Sequence, residues 1–275
     1  MDIPTFQIDT DSTEDHAYVL CIPSGMQLRE TISFAVPHGA FVRIVAQADS
    51  QAAVSLVTEG DMTIEVVVEN DATVSVVTLQ TANGVIRQSS KVHSGATVHF
   101  QNISLAAEVD HQLRSHLVGA HAVSNVDWIF YAKDTEKHRV SARNVFEANN
   151  GGGEIVMKGV AQDSASVFCD GMIEIGLQGG GTDTYLTENV LMLDTTARID
   201  AIPGLEIKTN DVKASHSATV SKVTAEDLFY FASRGIDESI ARHMYVQGFL
   251  GELTAKIEDS ALQESLRETI EKKFQ

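Results

Sequence analysis

The side chains able to do chemistry are few and scattered: ten histidines and two cysteines in a chain of 275 residues. His216 has the most suggestive setting. It lies in Asp211-Val212-Lys213-Ala214-Ser215-His216-Ser217-Ala218-Thr219, where small neighbours leave an imidazole open for metal ligation or proton transfer. The competing reading is a junction histidine whose hydrogen bonds are satisfied locally. His111, His116 and His121 are evenly spaced by five. On a strand an odd step alternates faces, and on a helix it turns roughly 140°. Neither gathers all three on one face, so they read as surface or turn histidines. His93 and His99 could share a strand face, but the turn Ser94-Gly95 separates them. Cys21 and Cys169 make no disulfide framework and read as two reduced, partly buried thiols.

Larger catalytic signatures are missing. The chain holds no Gly-x-x-x-x-Gly-Lys-Ser/Thr, no Gly-x-Gly-x-x-Gly and no Gly-x-Ser-x-Gly. No phosphate loop, dinucleotide site or hydrolase elbow is therefore expected, and no nucleotide bound by this chain. Zinc signatures of the Cys-x-x-Cys or His-Glu-x-x-His type are absent too. The triplets Gly151-Gly152-Gly153 and Gly179-Gly180-Gly181 read as turns.

Two unlike parts must position these residues. From about residue 20 to 222 the pattern is short and strand-like. Ile64, Val66 and Val68 alternate with Glu65 and Val67, and Val98 and Phe100 with Thr97 and His99. Turn residues punctuate it at Gly60-Asp61, Asn70-Asp71, Ser94-Gly95 and Asn149-Asn150-Gly151. Asn70-Asp71-Ala72-Thr73-Val74 is echoed by Ser94-Gly95-Ala96-Thr97-Val98, and more loosely by Val118-Gly119-Ala120-His121-Ala122. Ala72, Ala96 and Ala120 are 24 residues apart. A turn and a strand recurring at a fixed period fit a β-solenoid, with an antiparallel sandwich as the alternative.

From about residue 224 the pattern is helical. Thr224 and Asp227 form a capping box, and Gly235 is a stop. Asp237 caps a second helix with Ile240, Met244 and Phe249 along one side. Ser260 caps a third, in which Leu262, Leu266, Ile270 and Phe274 make one apolar stripe. This segment either caps the open end of the β body or docks a partner. The expected division is a β body over 1–222, with a short N-terminal lead-in, and a helical domain over 223–275.

Hydrophobic residues make up 43%, enough for a core, and the formal net charge is −18. Such a charge argues against nucleic-acid binding, because lysine and arginine clusters supply nearly all phosphate-backbone affinity. The start lacks a signal-peptide pattern, and no run reaches the ~18 apolar residues of a membrane span. A cytoplasmic protein with no membrane association is expected.

One long stretch resembles the SufB/SufD family of iron–sulfur cluster assembly scaffolds. It runs from Leu205-Glu206-Ile207 through Asp211-Val212-Lys213-Ala214-Ser215-His216-Ser217-Ala218-Thr219-Val220. It continues in Asp227-Leu228-Phe229-Tyr230-Phe231 and Ser233-Arg234-Gly235-Ile236. Leu191-Met192-Leu193 through Ala201-Ile202-Pro203-Gly204-Leu205 also fits, and the whole match covers roughly Glu136 to Leu253.

The resemblance implies a mainly β fold: a right-handed parallel β-helix with a small C-terminal helical domain. It implies pairing through the β-helix ends with a second copy or a SufB/SufD paralogue. It also implies docking of a SufC-like ABC ATPase, and hand-over of a transient iron–sulfur cluster to recipient apo-proteins. Bacterial members carry an added N-terminal helical region, and the chain resembles the minimal archaeal form without it. His216 matches the histidine of SufD-like members at the scaffold interface. Asp200, Asp194, Glu188 and Cys169 are candidates to complete ligation, against readings as solvated acids and a core thiol. Leu228, Phe229, Tyr230, Arg234, Gly235 and Ile236 are the expected ATPase-docking residues, against internal packing. SufB-like members carry a sulfur-accepting cysteine where Ala197 stands and a glutamate where Ser217 stands. The alternatives are a structural, ATPase-activating partner that holds no cluster and, more remotely, a β-helix carbohydrate-active enzyme. As a scaffold or as a structural partner, the chain is expected to be a non-enzymatic assembly component, with ATP hydrolysis in a partner.

Overall fold

Alternation of small branched side chains sets the architecture. In Met62–Val68 the residues Met62, Ile64, Val66 and Val68 are buried, while Thr63 is exposed. The same parity repeats from strand to strand, so each must stack on the next with one face inward. The computed structural model describes residues 5–8, 17–257 and 259–274, the first four by backbone alone. The early strands are β1 (Thr5–Ile8), β2 (Ala17–Ile22), β3 (Ile32–Val36), β4 (Ala40–Ala46), β5 (Gln51–Thr58) and β6 (Met62–Val68). The middle strands are β7 (Thr73–Gln80), β8 (Gly84–Val92), β9 (Thr97–Ser104), β10 (Glu108–Leu117), β11 (Val123–Ala132) and β12 (Lys137–Phe146). The last are β13 (Gly152–Ala161), β14 (Ser166–Ile175), β15 (Thr182–Met192), β16 (Arg198–Ala201), β17 (Gly204–Ile207) and β18 (Val212–Lys222).

From β2 to β16 successive strands go to opposite sheets. The first sheet has the order β1-β2-β4-β6-β8-β10-β12-β14-β16, with β17 also on β14; the second runs β18-β15-β13-β11-β9-β7-β5-β3. All pairings are parallel except β1 with β2. The fold is a parallel β-solenoid with two strands to each coil, not an antiparallel sandwich. Between the sheets lies a core whose largest enclosed side chains are Trp128, Phe100, Phe130 and Phe146.

The coils turn on a stacked corner. Gly25, Asp49, Asp71, Gly95, His121, Asn150 and Gly181 all have positive φ. Most donate their N–H to a carbonyl of the next coil: Asp71 to Ser94 at 3.0 Å, Gly95 to Ala120 at 2.9 Å, His121 to Asn149 at 3.0 Å. Asp, Asn and Gly tolerate this left-handed region, which explains their recurrence. The residue after each corner turns inward, and Ala72, Ala96 and Ala122 are fully buried. The third repeat therefore aligns on Ala122 and not Ala120, because the coil lengthens by two residues.

Three helices follow: α1 (Ala225–Ser233), α2 (Glu238–Thr254) and α3 (Ser260–Phe274). The Thr224–Asp227 capping box, the Asp237 cap and Gly235 at φ 77° stand as expected. The third cap is Asp259 rather than Ser260: its carboxylate accepts the N–H of Ala261 and Leu262. The α2–α3 pair does not cover the open end of the solenoid. It lies along the outer face of the second sheet, where Val77, Leu79, Ile103, Leu105, Ile129 and Tyr131 pack against Val246, Leu250, Leu253, Leu266 and Ile270. Ala241, Val246, Leu250 and Leu253 form the buried side of α2, so Ile240 and Met244 are left exposed.

Polar contacts fix this docking. Lys273 pairs with Glu136 at 2.6 Å and donates to the Leu105 carbonyl at 2.7 Å. Arg242 donates to the Leu193 carbonyl at 2.9 Å. Lys256 reaches Asp127 at 2.9 Å, and His99 holds the other oxygen of that carboxylate at 2.8 Å. Burial pushes the Asp127 carboxyl up, but these two partners outweigh it and hold it below its ordinary value.

His111 corrects the sequence reading. It is fully buried between the sheets, with Nε2 3.2 Å from Gln88 Oε1 and its ring edge on Trp128 at 4.5 Å. His116 pairs with Glu147 on the outer face, and His121 takes the corner. Burial, helped by Arg87, pushes His111 down to about 3. Burial also lowers His138, to about 4, although its bond to the Ala106 carbonyl opposes the shift. Both rings bind protons more readily in the unfolded chain, so each removes stability as pH falls from about 6.5. Glu188 is pushed the other way, up to about 7, so its contribution is present below about 4.5 and lost as pH rises through 7. Two rings against one carboxyl leave a net loss of stability on acidification between about 6.5 and 4.5. Urea midpoints at pH 8, 6 and 5 check this. Glu188→Gln is expected to steepen the fall.

Candidate functional site

The last coil leaves the solenoid open. β18 pairs with β15 along one edge over its 11 residues, and among the described residues no strand covers its other edge. A long free row of N–H and C=O groups is a template for pairing with another chain. On the opposite side β16 and β17 both pair with β14. They are separated at Ile202-Pro203, where proline removes a ladder donor.

His216 lies opposite Leu186, which is fully buried in the core. Val212 and Ala214, of the same parity on β18, pack against that core. His216 therefore belongs to the inner face, and it is exposed because no coil among the described residues lies above it. Among the described residues it has no hydrogen bond or ion pair, so both ring nitrogens are open to an incoming ligand.

Glu188 lies one coil below, opposite Ala218 and with its side chain fully buried. Its Oε1 accepts the Gly171 N–H at 2.6 Å, while Oε2 has no partner. By the registers on either side, Gly171 stands opposite Pro203, so the carboxylate fills the gap in the ladder. A Cβ on Gly171 would come within 2.8 Å of Glu188 Oε1 and 2.5 Å of Leu186, so this approach requires glycine. Burial raises the Glu188 carboxyl to about 7, with the Gly171 N–H opposing and Asp170 adding.

Cys169 is also on the inner face and fully buried, its thiol 3.7 Å from Met157 Sδ. Burial, then Glu188 and Asp170, push it well above its ordinary value, so it is a protonated core thiol. The other two acids are elsewhere. Asp200 is exposed, and its strand parity is opposite to that of Ile199, which packs on the core. Asp194 accepts the Asp163 N–H at 3.0 Å and faces Arg242 at 3.5 Å, so it fastens α2 to the solenoid. Ala197 is buried in the turn before β16. The candidates thus divide: His216, Glu188 and Cys169 share the inner face of the last coils, and Asp200 and Asp194 do not. Among the described residues, no three His, Cys, Asp or Glu side chains are grouped closely enough to hold a metal ion.

A second surface adjoins β18 in sequence. α1 buries none of its residues. Phe229 is 74% and Tyr230 58% exposed, while Leu228 and Ile236 are half-buried. Arg234 lies over the Tyr230 ring at 5.5 Å, and Gly235 ends the helix. Ile240 and Met244 extend this patch onto α2, at 57% and 45% exposure. Their i, i+4 spacing was visible in the sequence, but helical periodicity alone does not say which stripe faces the core.

No helix among the described residues is long and apolar enough to cross a membrane. The family model of the SUF system FeS cluster assembly SufBD core domain matches residues 24–249. An iron–sulfur cluster assembly SufBD family protein of Staphylococcus epidermidis is 28% identical over 236 residues, covering 80% of this chain and 50% of that protein. Another, of Mycobacterium leprae, is 29% identical over 167 residues, covering 60% of this chain and 19% of its own length. The iron–sulfur cluster assembly protein SufD of Escherichia coli is 35% identical over 109 residues, 40% of this chain and 26% of that one. The chain spans half or less of the length of these curated relatives. A parallel solenoid with an open last coil and an outer helical segment, matched by the core-domain model over most of its length, makes this chain a member of the SufB/SufD family of iron–sulfur cluster assembly proteins.

Proposed function

We propose that the chain is a scaffold subunit of a SUF-type complex, with no complete active site of its own. The observation that carries this reading is the free edge of β18 with His216 on its inner face. Two such edges, from two copies or from this chain and a paralogue, would join across a two-fold axis and bring two imidazoles together. A nascent cluster is then cargo held between subunits. Glu188 is a second donor if Ile202-Pro203 shifts, because its Oε2 already lacks a partner.

The exposed surface of α1 suits a SufC-like ABC ATPase. Aromatic and arginine side chains make strong anchors, and Phe229 and Tyr230 are too exposed to serve internal packing. Only Val223 and Thr224 separate β18 from α1, so closure of two docked ATPases would bear directly on the strand that carries His216. Phe229→Ala with Arg234→Glu is expected to abolish co-purification with a co-expressed SufC-like ABC ATPase and to leave the thermal midpoint unchanged. Undiminished co-purification would count against this surface.

One observation favours a second reading. By the family resemblance Ala197 stands where SufB-like members present a thiolate, and Cys169 is a buried thiol. A SufD-like partner that activates the ATPase and never holds a cluster would need neither. Iron and sulfide content of the anaerobic complex separates the two readings.

A further inference from the structure

The outer face of the first sheet carries a feature that the cluster site does not use. On β8, β10 and β12 the outward residues form a grid of three rows: Val85–Asp110–Arg139, Arg87–Gln112–Ser141 and Ser89–Arg114–Arg143. Neighbours are about 4.8 Å apart across strands and about 6.8 Å along them. Long arginines at four positions rise around the shorter Gln112, Ser89 and Ser141. They leave a hollow of about 440 Å³. Four of the chain's ten arginines thus converge on one place, in a protein of net charge −18.

The carboxylates nearby offset this set only in part: besides Asp110 and Glu174, Asp170 lines the hollow and accepts the Ser141 hydroxyl at 3.2 Å, which leaves four guanidiniums against three carboxylates. Asp110 takes Arg87 in a two-point pair at 3.0 and 3.1 Å. Glu174 is shared by Arg114 at 3.2 Å and Arg143 at 2.7 Å. Arg139 has no carboxylate partner among the described residues. Its guanidinium is held 4.3 Å above the Phe168 ring, which fixes the group without using its charge. Arg139 and Phe168 also form the shared wall of a second hollow, of about 530 Å³, lined further by Lys137, Glu108, Asp110, Val85 and Ser166.

We infer that this face docks a carboxylate-rich segment of a partner protein. Both hollows are open and lie side by side on a sheet surface, whereas small ligands are held in concave sites that bury most of their area. Arginine and aromatic side chains at the centre of an open surface are the composition of a protein interface. Guanidinium forks pair with carboxylates at two points, so an extended acidic segment would meet Arg139, Arg143 and Arg114 in turn. The inference is independent of the cargo site, because β18 belongs to the other sheet.

The test is fluorescence anisotropy of labelled decaglutamate added to the full chain at low salt, with decaglutamine as the neutral control. The expected result is saturable binding of decaglutamate alone, lost at about 0.5 M salt. Arg139→Glu should weaken it about tenfold or more, and Arg143→Gln should weaken it too. Arg139 is exposed, so its replacement should leave the thermal midpoint in place. Equal affinity in the parent chain and both variants would overturn the inference. So would inorganic pyrophosphate binding this face more tightly than the peptide, which would make it a small-anion site.

Discussion

His216→Ala is expected to remove most of the iron and sulfide retained by the anaerobic complex while leaving its subunit composition intact. The imidazole contributes nothing to the fold. It is exposed, has no hydrogen bond among the described residues, and follows Ala214 on a strand whose ladder is made by backbone groups. Truncation removes a ligand and opens no cavity, so the thermal midpoint should move by less than that for a typical core change. In a two-fold pair the substitution removes two donors together, and Cys169 does not replace them because burial holds it as a thiol. His216→Cys supplies a softer ligand at the same place and is expected to restore part of the iron. Iron and sulfide assays on size-exclusion peaks of equal mass check both variants. Unchanged iron in the alanine variant would remove His216 from the site.

Gly159→Ala is expected to destabilise the solenoid core strongly. Gly159 lies on the inner side of β13, directly opposite Phe130 on β11. A Cβ there would fall 1.7, 2.1 and 2.2 Å from three carbons of the Phe130 ring. Phe130 is itself fully buried among the core side chains, so its ring has no free volume to enter. Overpacking of this kind costs about 3 kcal/mol. For a chain of this size that lowers the thermal midpoint by roughly 6–12 °C. The double variant Gly159→Ala with Phe130→Leu should recover part of the loss, because the smaller side chain vacates the space the methyl needs. A double-mutant cycle in urea gives the coupling directly. Additive losses would show that the two residues do not meet.

Much of the solenoid is legible in the sequence because each strand obeys a local rule. Ile64, Val66 and Val68 declare an inner face, and Asp71 and Gly95 declare corners, without reference to any distant residue. The helix caps at Thr224 and Asp237 are local in the same way. What stayed hidden depends on what lies across the chain. His111 has inward parity, but a histidine there looks no different from one on the surface until Gln88 and Trp128 are placed around it. Leu79, Leu105 and Tyr131 point outward and break the alternation, and only the arrival of α2 and α3 explains them. The same arrival decides that Ala241 and Val246 face inward and that Ile240 and Met244 do not.

The candidate site was legible in part. His216 stands out by its small neighbours, but its openness comes from the absence of a coil above β18 in the described residues. Glu188 reads as an ordinary acid in Thr187-Glu188-Asn189. Its burial and its unpartnered oxygen follow from strand parity together with the proline gap two strands away. Asp200 and Asp194 have equally plausible sequence settings. Parity sends the first outward, and Arg242 engages the second.

The central claim is that the open end of the solenoid holds cargo between two scaffold surfaces. Anaerobic co-expression of this chain with a SufC-like ABC ATPase, followed by visible absorption and iron analysis of the purified complex, tests it most directly. The account predicts a brown complex containing two copies of the scaffold, or one copy and its paralogue, with iron and sulfide bound. A stable but colourless complex, free of iron under the same conditions, would contradict it.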